Sequence, residues 1–237
     1  MQQSSLPGRK CSNTNWLVLF DCDGTLVDSQ HAIVSAMTRG WRAMGLGDPD
    51  PVLVRRCAAL EPTEMIAALL PGADDWTVKR LAGLYRSAYY QPAPYPHPTA
   101  EPLVGGMRDV LAALRDHGFM LGIATGRSRR TLLAMLEIHG LTDTFVTLQT
   151  ADRCIGKPNP DMVVRAQAEC GAARADTVVV GDSPQDMEMA KRAGVAAIGV
   201  SWGFYDVAEL RRAGAQSIVQ DPGEIARAAF DLLEVSQ

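Results

Sequence analysis

Residues 16–29, WLVLFDCDGTLVDS, constrain the fold more than any other stretch of the chain. The run from Leu17 to Phe20 is wholly apolar and ends on two aspartates, Asp21 and Asp23, followed at once by Gly24 and Thr25. A short run with no polar position has no solvent face, so it predicts a strand buried on both sides within a parallel sheet. Carboxylates at the C-terminal end of such a strand fall where open α/β sheets bind their ligands. Side chains two apart on extended backbone point to the same side, so Asp21 and Asp23 are expected to face one small object. Two carboxylates that near raise one another's pKa unless a cation lies between them, which leaves a metal site and a proton-sharing pair both open.

The rest of the chain has two textures. Asp28 or Ser29 can cap a helix running to Met44, stopped by Gly45-Leu46-Gly47. The pattern then stays helical, with apolar side chains at three- and four-residue spacing over 51–60, 63–70 and 75–90. Residues 91–102, QPAPYPHPTAEP, hold five prolines and predict a stiff connector. Beyond it helices over 105–117, 128–139, 160–170, 184–193, 207–213 and 222–235 alternate with strands over 119–124, 145–148, 177–180, 195–200 and 217–219. This alternation predicts an α/β fold, a Rossmann-like three-layer core around a central parallel sheet. The core is expected over 16–27 and 104–237, an inserted all-helical cap with its connector over 28–103, and a disordered leader over 1–15.

Bulk properties narrow the partners. A formal net charge of −4 offers no attraction to nucleic acid or to an anionic membrane. No apolar run reaches the roughly 18–20 residues that span a bilayer, and the leader is polar, without a secretory signal's apolar segment. Cys11, Cys22, Cys57, Cys154 and Cys170 are odd in number and contain no CxxC pair. Scattered thiols of this kind predict a reducing, cytoplasmic setting and neither a disulfide framework nor a zinc site. A monomer and a homodimer are equally compatible with these features.

Four polar groups fall at or just after predicted strand ends: Asp21 with Asp23, Thr125, Lys157, and Asp182 with Asp186. In a parallel sheet those ends share one edge, so residues distant in sequence converge on one pocket. Acidic oxygen donors without His or Cys suit a hard cation such as Mg²⁺. An ammonium and a hydroxyl beside that cation suit a phosphoryl group, whose oxygens need charge neutralised on several sides. Taken singly each group has a bland reading: a solvated turn for the DxD pair, a surface lysine for Lys157, a helix cap for Thr125, a first-turn dipole partner for Asp186.

Together the four groups resemble the motifs of the haloacid dehalogenase superfamily, in its phosphoglycolate phosphatase-like branch with a helical cap after the first motif. The resemblance rests on DCDGT from Asp21 to Thr25, IATGR around Thr125, GKPNPD around Lys157 and GDSPQD around Asp182 and Asp186, in that order. It covers residues 16–235 and implies Mg²⁺-dependent hydrolysis of a small phosphorylated metabolite. It also implies that Asp21 is a nucleophile taking the phosphoryl group as an aspartyl-phosphate, with Asp23 as acid and base. Mg²⁺ would be held by Asp21, the Asp23 main-chain carbonyl and Asp182, with Asp186 supporting the metal from outside or orienting Lys157. Thr125, Gly24, Thr25, Gly126 and Arg127 would line the phosphoryl and substrate pocket, and Lys157 would neutralise charge on the phosphoryl group and Asp21. Arg127 stands where Lys or Asn is common, and the cap turn Leu60-Glu61-Pro62 lacks the customary glycine. Arg55, Arg56 and Glu61 are the cap residues expected to approach substrate, with hinges near residues 27–29 and 91–103.

Other readings share parts of this constellation. A sugar-phosphate mutase of the β-phosphoglucomutase type returns the phosphoryl group to substrate. A receiver-type signalling domain also sets Asp, Thr and Lys around Mg²⁺, on a chain of roughly half this length. An aspartate two residues beyond the nucleophile speaks for phosphoryl transfer against dehalogenation, because a departing halide needs no proton. The GxSxG at 199–203 follows a strand as a nucleophile elbow would, yet His31, His97, His117 and His139 all precede Ser201, the wrong order for an α/β-hydrolase. The loop Ser201-Trp202-Gly203 is instead expected beside the same pocket, and Cys22 is expected to point into the core.

Overall fold

The four residues of β1 (Leu17–Phe20) are fully buried, and the sheet extends from them in both directions. β2 (Met120–Thr125) pairs with β1 on one side, with β3 (Thr147–Thr150) beyond it. β4 (Thr177–Gly181) pairs on the other, followed by β5 (Ala196–Val200) and β6 (Ser217–Val219). All pairings are parallel and the order is β3-β2-β1-β4-β5-β6, the doubly wound arrangement whose direction of winding reverses beside β1. Phe20 pairs with both Ile123 and Val180, so Asp21, Thr125 and Asp182 leave the sheet within one residue of one another. The computed structural model describes residues 15–57, 60–90 and 101–234; the expected leader up to residue 14 and connector residues 91–100 lie outside these. Asn15, the last leader residue, donates to Gly171 O at 3.2 Å.

The chain divides into two compact units, Met1–Leu26 with Leu103–Gln237, and Val27–Pro102. The second unit contains α1 (Gln30–Ala43), α2 (Pro51–Arg56), α3 (Pro62–Leu69) and α4 (Asp75–Tyr90). α1 buries Ile33, Ala36, Met37 and Trp41, one face of a 3.6-residue period, and α4 buries Leu81, Ala82 and Tyr85. α2 starts on Asp50, whose side chain accepts from Val52 N–H, and ends at Cys57 instead of running to residue 60. Glu61, expected to approach substrate, is engaged within its own unit: its carboxylate caps α3 through Thr63 N–H and pairs with Arg86 at 2.7 Å.

In the first unit the sheet is flanked by α5 (Met107–Asp116), α6 (Arg129–Ile138), α7 (Asp161–Cys170), α8 (Pro184–Ala193), α9 (Val207–Ala213) and α10 (Ile225–Glu234). Met162 and Val163 of α7, and Met187 and Ala190 of α8, pack in one cluster with Leu17, Leu19 and Val179. Trp16, Phe119 and Phe230 form a second cluster with ring centroids 4.9–5.3 Å apart. β3 begins two residues later than its apolar pattern predicts. Val146 is 63% exposed, whereas Thr147 and Gln149 are buried and bonded to one another at 2.8 Å, so polar residues occupy this edge strand. The last predicted helix opens as a 3-10 turn over Pro222–Glu224 before α10. Among the described residues no helix is long and apolar enough to cross a membrane. Leu19→Ala leaves a void in the cluster beneath α7 and α8, and is expected to lower unfolding free energy by about 2–5 kcal/mol, read from the denaturant midpoint at constant slope.

Candidate active site

β1 ends in a turn: Thr25 N–H and Leu26 N–H both donate to Cys22 O, at 3.4 and 2.9 Å. The same-side rule for extended chain therefore stops applying at Phe20, and the two aspartates take different partners. Lys157 Nζ donates to Asp21 Oδ1 at 2.6 Å. Asp23 gives one oxygen to Arg127 Nε at 2.8 Å and the other to Nη2 at 2.5 Å, a bidentate fork. Cys22, between them, is fully buried as expected.

Asp182 follows β4 and is held on both oxygens. Thr25 Oγ1 donates to Oδ1 at 3.1 Å and Phe204 N–H to Oδ2 at 2.8 Å. Gly24 has φ +83°, and a β-carbon there would stand 2.5 Å from Asp182 Oδ2; one at Gly203 would stand 2.1 Å from Asp182 Cβ. Gly24 and Thr25, expected at the substrate, thus shape the place of a carboxylate. Trp202 Nε1 donates to Thr25 O at 3.2 Å, which ties the 201–204 loop to this corner as the sequence led us to expect. Little in the sequence marks Gly203 and the Phe204 amide as partners of Asp182. The only signal was a small residue just past a strand end, inside the GxSxG that failed as an elbow.

Asp186 opens α8 in a capping box: Ser183 Oγ accepts from Asp186 N–H at 3.2 Å. Asp186 Oδ2 accepts from Ser183 N–H at 3.1 Å and from Ser183 Oγ at 2.6 Å. Its Oδ1 lies 2.6 Å from Lys157 Nζ, so the lysine bridges Asp186 and Asp21. Thr125, at the end of β2, is fully buried and its Oγ1 accepts from Arg127 N–H at 3.1 Å, while Gly126 is exposed. All the sequence-nominated residues of the first unit therefore gather at one sheet edge, although Arg127 is directed at Asp23.

Carboxylate oxygens of Asp21, Asp182 and Asp186 lie within 4.8 Å of one another. Burial pushes Asp21 up to about 7, with Lys157 opposing and Asp186 reinforcing the shift. Burial, then Asp21 and Asp186, hold Asp182 well above the ordinary carboxylate range against the Phe204 amide and Thr25 hydroxyl. Burial alone would lower Lys157, but Asp186 and Asp21 outweigh it and hold the ammonium above its ordinary value. The cluster carries more negative than positive charge in a buried place, from oxygen donors alone, and this fits a hard divalent cation. Asp21 rises from 3.8 to about 7 in the fold, so without a cation the folded protein takes up more protons in that window and the group's contribution to stability falls as pH rises through it. A cation needs those carboxylates ionised, so the rise in Tm on replacing chelator with Mg²⁺ is expected to be larger near pH 7.5 than near pH 5. Equal rises at both values would remove the carboxylates as the binding groups.

Residues 18–200 match the family model described as haloacid dehalogenase-like hydrolase. The Dickeya dadantii protein named "Probable phosphatase IndB" is 35% identical over 93% of this chain and 96% of its own. A phosphoglycolate phosphatase of Synechococcus elongatus is 29% identical over 91% of this chain and 98% of its own. A solved haloacid dehalogenase-like hydrolase from Streptococcus pneumoniae superposes with a TM-score of 0.79 at 24% identity, covering 90% of this chain and 98% of that one, a likeness of fold.

Proposed function

The chain belongs to the haloacid dehalogenase-like hydrolase family, and from that premise we propose that it is a Mg²⁺-dependent phosphatase for a small, phosphoglycolate-like metabolite. The observation that carries this reading is the separation of the two aspartates: Asp21 lies against Lys157 inside the carboxylate cluster, and Asp23 stands on Arg127. An ester phosphate needs both a nucleophile at phosphorus and a proton for the departing oxygen, and these two placements supply one each.

In this reading Asp23 enters protonated; an Asp21 oxygen attacks phosphorus, the bond to the ester oxygen breaks, and Asp23 gives that oxygen its proton. Water then attacks the phosphorus of the aspartyl-phosphate and Asp23 takes the water's proton. The bond between phosphorus and Asp21 breaks, releasing phosphate and restoring the carboxylate. Lys157, 2.6 Å from Asp21, offsets negative charge as the phosphoryl oxygens approach, and Thr125 stands at the end of the neighbouring strand to bind them. Asp21, Asp182 and the Asp23 carbonyl would hold Mg²⁺. Both Asp186 oxygens are already engaged by Ser183 and Lys157, which suits that residue to support from outside. Bound there, Mg²⁺ supplies charge neutralisation at the phosphoryl oxygens. The four described cysteines are all free thiols, which supports a reducing, cytoplasmic setting.

Purified protein is expected to release phosphate continuously from phosphoglycolate or p-nitrophenyl phosphate with Mg²⁺ and not in excess chelator. Asp21→Asn should lower the rate by at least about 10³-fold while keeping the circular dichroism spectrum. Turnover that survives either treatment would remove the nucleophile or the metal from the reading.

A further inference from the structure

We propose that Arg127 is the positioning residue for proton transfer: its guanidinium fork fixes the Asp23 carboxylate toward the ester oxygen and holds it away from the cation cluster. The inference rests on the reading of Asp23 as acid and base. Arg127 is only 6% exposed, so its charge is not a solvated surface charge. Its backbone is anchored on both sides, N–H to Thr125 Oγ1 at 3.1 Å and C=O from Ala151 N–H at 3.1 Å. From that fixed base Nε and Nη2 reach the two Asp23 oxygens at 2.8 and 2.5 Å. Two parallel bonds fix the plane of a carboxylate, whereas a single ammonium fixes only its distance.

Asp23 needs such restraint because of where it lies. It sits in the turn after β1, its side chain is 26% exposed, and it is two residues from a nucleophile whose neighbourhood attracts cations. A carboxylate free to rotate there would be drawn to a divalent cation in the Asp21, Asp182 and Asp186 cluster and lost to proton transfer. The fork gives it a different cation. In the first step, the one kcat/KM reports, the orientation so imposed matters where a proton must reach the leaving oxygen. An alkyl phosphate departs as a strongly basic alkoxide and needs that proton, while p-nitrophenyl phosphate departs as a stabilised phenolate and does not. Arg127 therefore tunes this chain toward alkyl phosphates, the class that includes phosphoglycolate.

The test compares kcat/KM for phosphoglycolate and for p-nitrophenyl phosphate in wild type, Arg127→Lys, Arg127→Met and Asp23→Asn, together with inhibition by inorganic phosphate and the Tm of each variant. Asp23→Asn and both Arg127 variants are expected to lose about 10–100-fold on phosphoglycolate, only a few-fold on p-nitrophenyl phosphate, with phosphate inhibition unchanged. Arg127→Lys keeps the charge and loses the fork, so a wild-type ratio of the two substrates in that variant would overturn the proposal. An equal loss on both substrates, or weakened phosphate inhibition, would overturn it in favour of direct substrate binding or a purely structural role. An unchanged ratio in Asp23→Asn would instead sink the reading of Asp23 as the acid, whatever Arg127 does.

Discussion

Three buried carboxylates, two of them paired with the ammonium of Lys157, set the terms for the structure around them. Removing charges from water costs several kcal/mol each even after relaxation, and Lys157 can offset only part of what Asp21, Asp182 and Asp186 bring. The fold accommodates the remainder with fixed dipoles. The Phe204 amide and Thr25 hydroxyl serve Asp182, the Ser183 amide and hydroxyl serve Asp186, and α8 turns its N-terminus toward the cluster. What stays uncompensated shows in the raised values of Asp21 and Asp182. A cluster that burdens the fold in this way is the kind of local conflict found at sites built for a cation and an anionic ligand.

The sheet decides which residues can take part. β1 has no solvent face, so it must lie centrally, and the chain must then wind outward from it in both directions. Winding of that kind leaves a crevice at the carboxyl ends beside β1, and the register brings the ends of β1, β2 and β4 nearly level there. Lys157, from the loop between β3 and α7, completes the group. The cluster follows from topology, with no long loop needed to assemble it.

The legible parts of the chain are those where direction follows from periodicity. Buried parallel strands and the amphipathic helices between them leave repeating apolar patterns, and the strand ends mark where Asp21, Thr125 and Asp182 emerge. Side chains in turns carry no such rule. Thr25 and Gly24 adjoin the aspartates in sequence, and the turn swings both toward Asp182. What Phe204 gives Asp182 is its amide, which any residue but proline would supply, so that bond leaves no signal in the sequence. β3 departs from the apolar pattern over 145–148 for a related reason. Its buried polar side chains have polar partners, Gln149 on Thr147 at 2.8 Å, Thr147 on Glu169 of α7 at 2.5 Å and Cys154 on Gln149 at 3.2 Å, and so carry no apolar period.

The pair of aspartates that opens the chain poses a problem of selectivity. Two carboxylates one residue apart compete for the same cation and, left to themselves, do the same chemistry. The turn at Cys22 separates their directions, but direction alone does not hold a partly exposed side chain in place. Each carboxylate is therefore given its own positive partner, and the partners differ in kind. Lys157 is a compact charge that contacts one oxygen of Asp21, which suits the nucleophile proposed there. Arg127 contacts both oxygens of Asp23 and fixes the plane of the carboxylate, which suits the directional proton carrier proposed there. The choice of cation, lysine for one and arginine for the other, is what makes two identical side chains unequal.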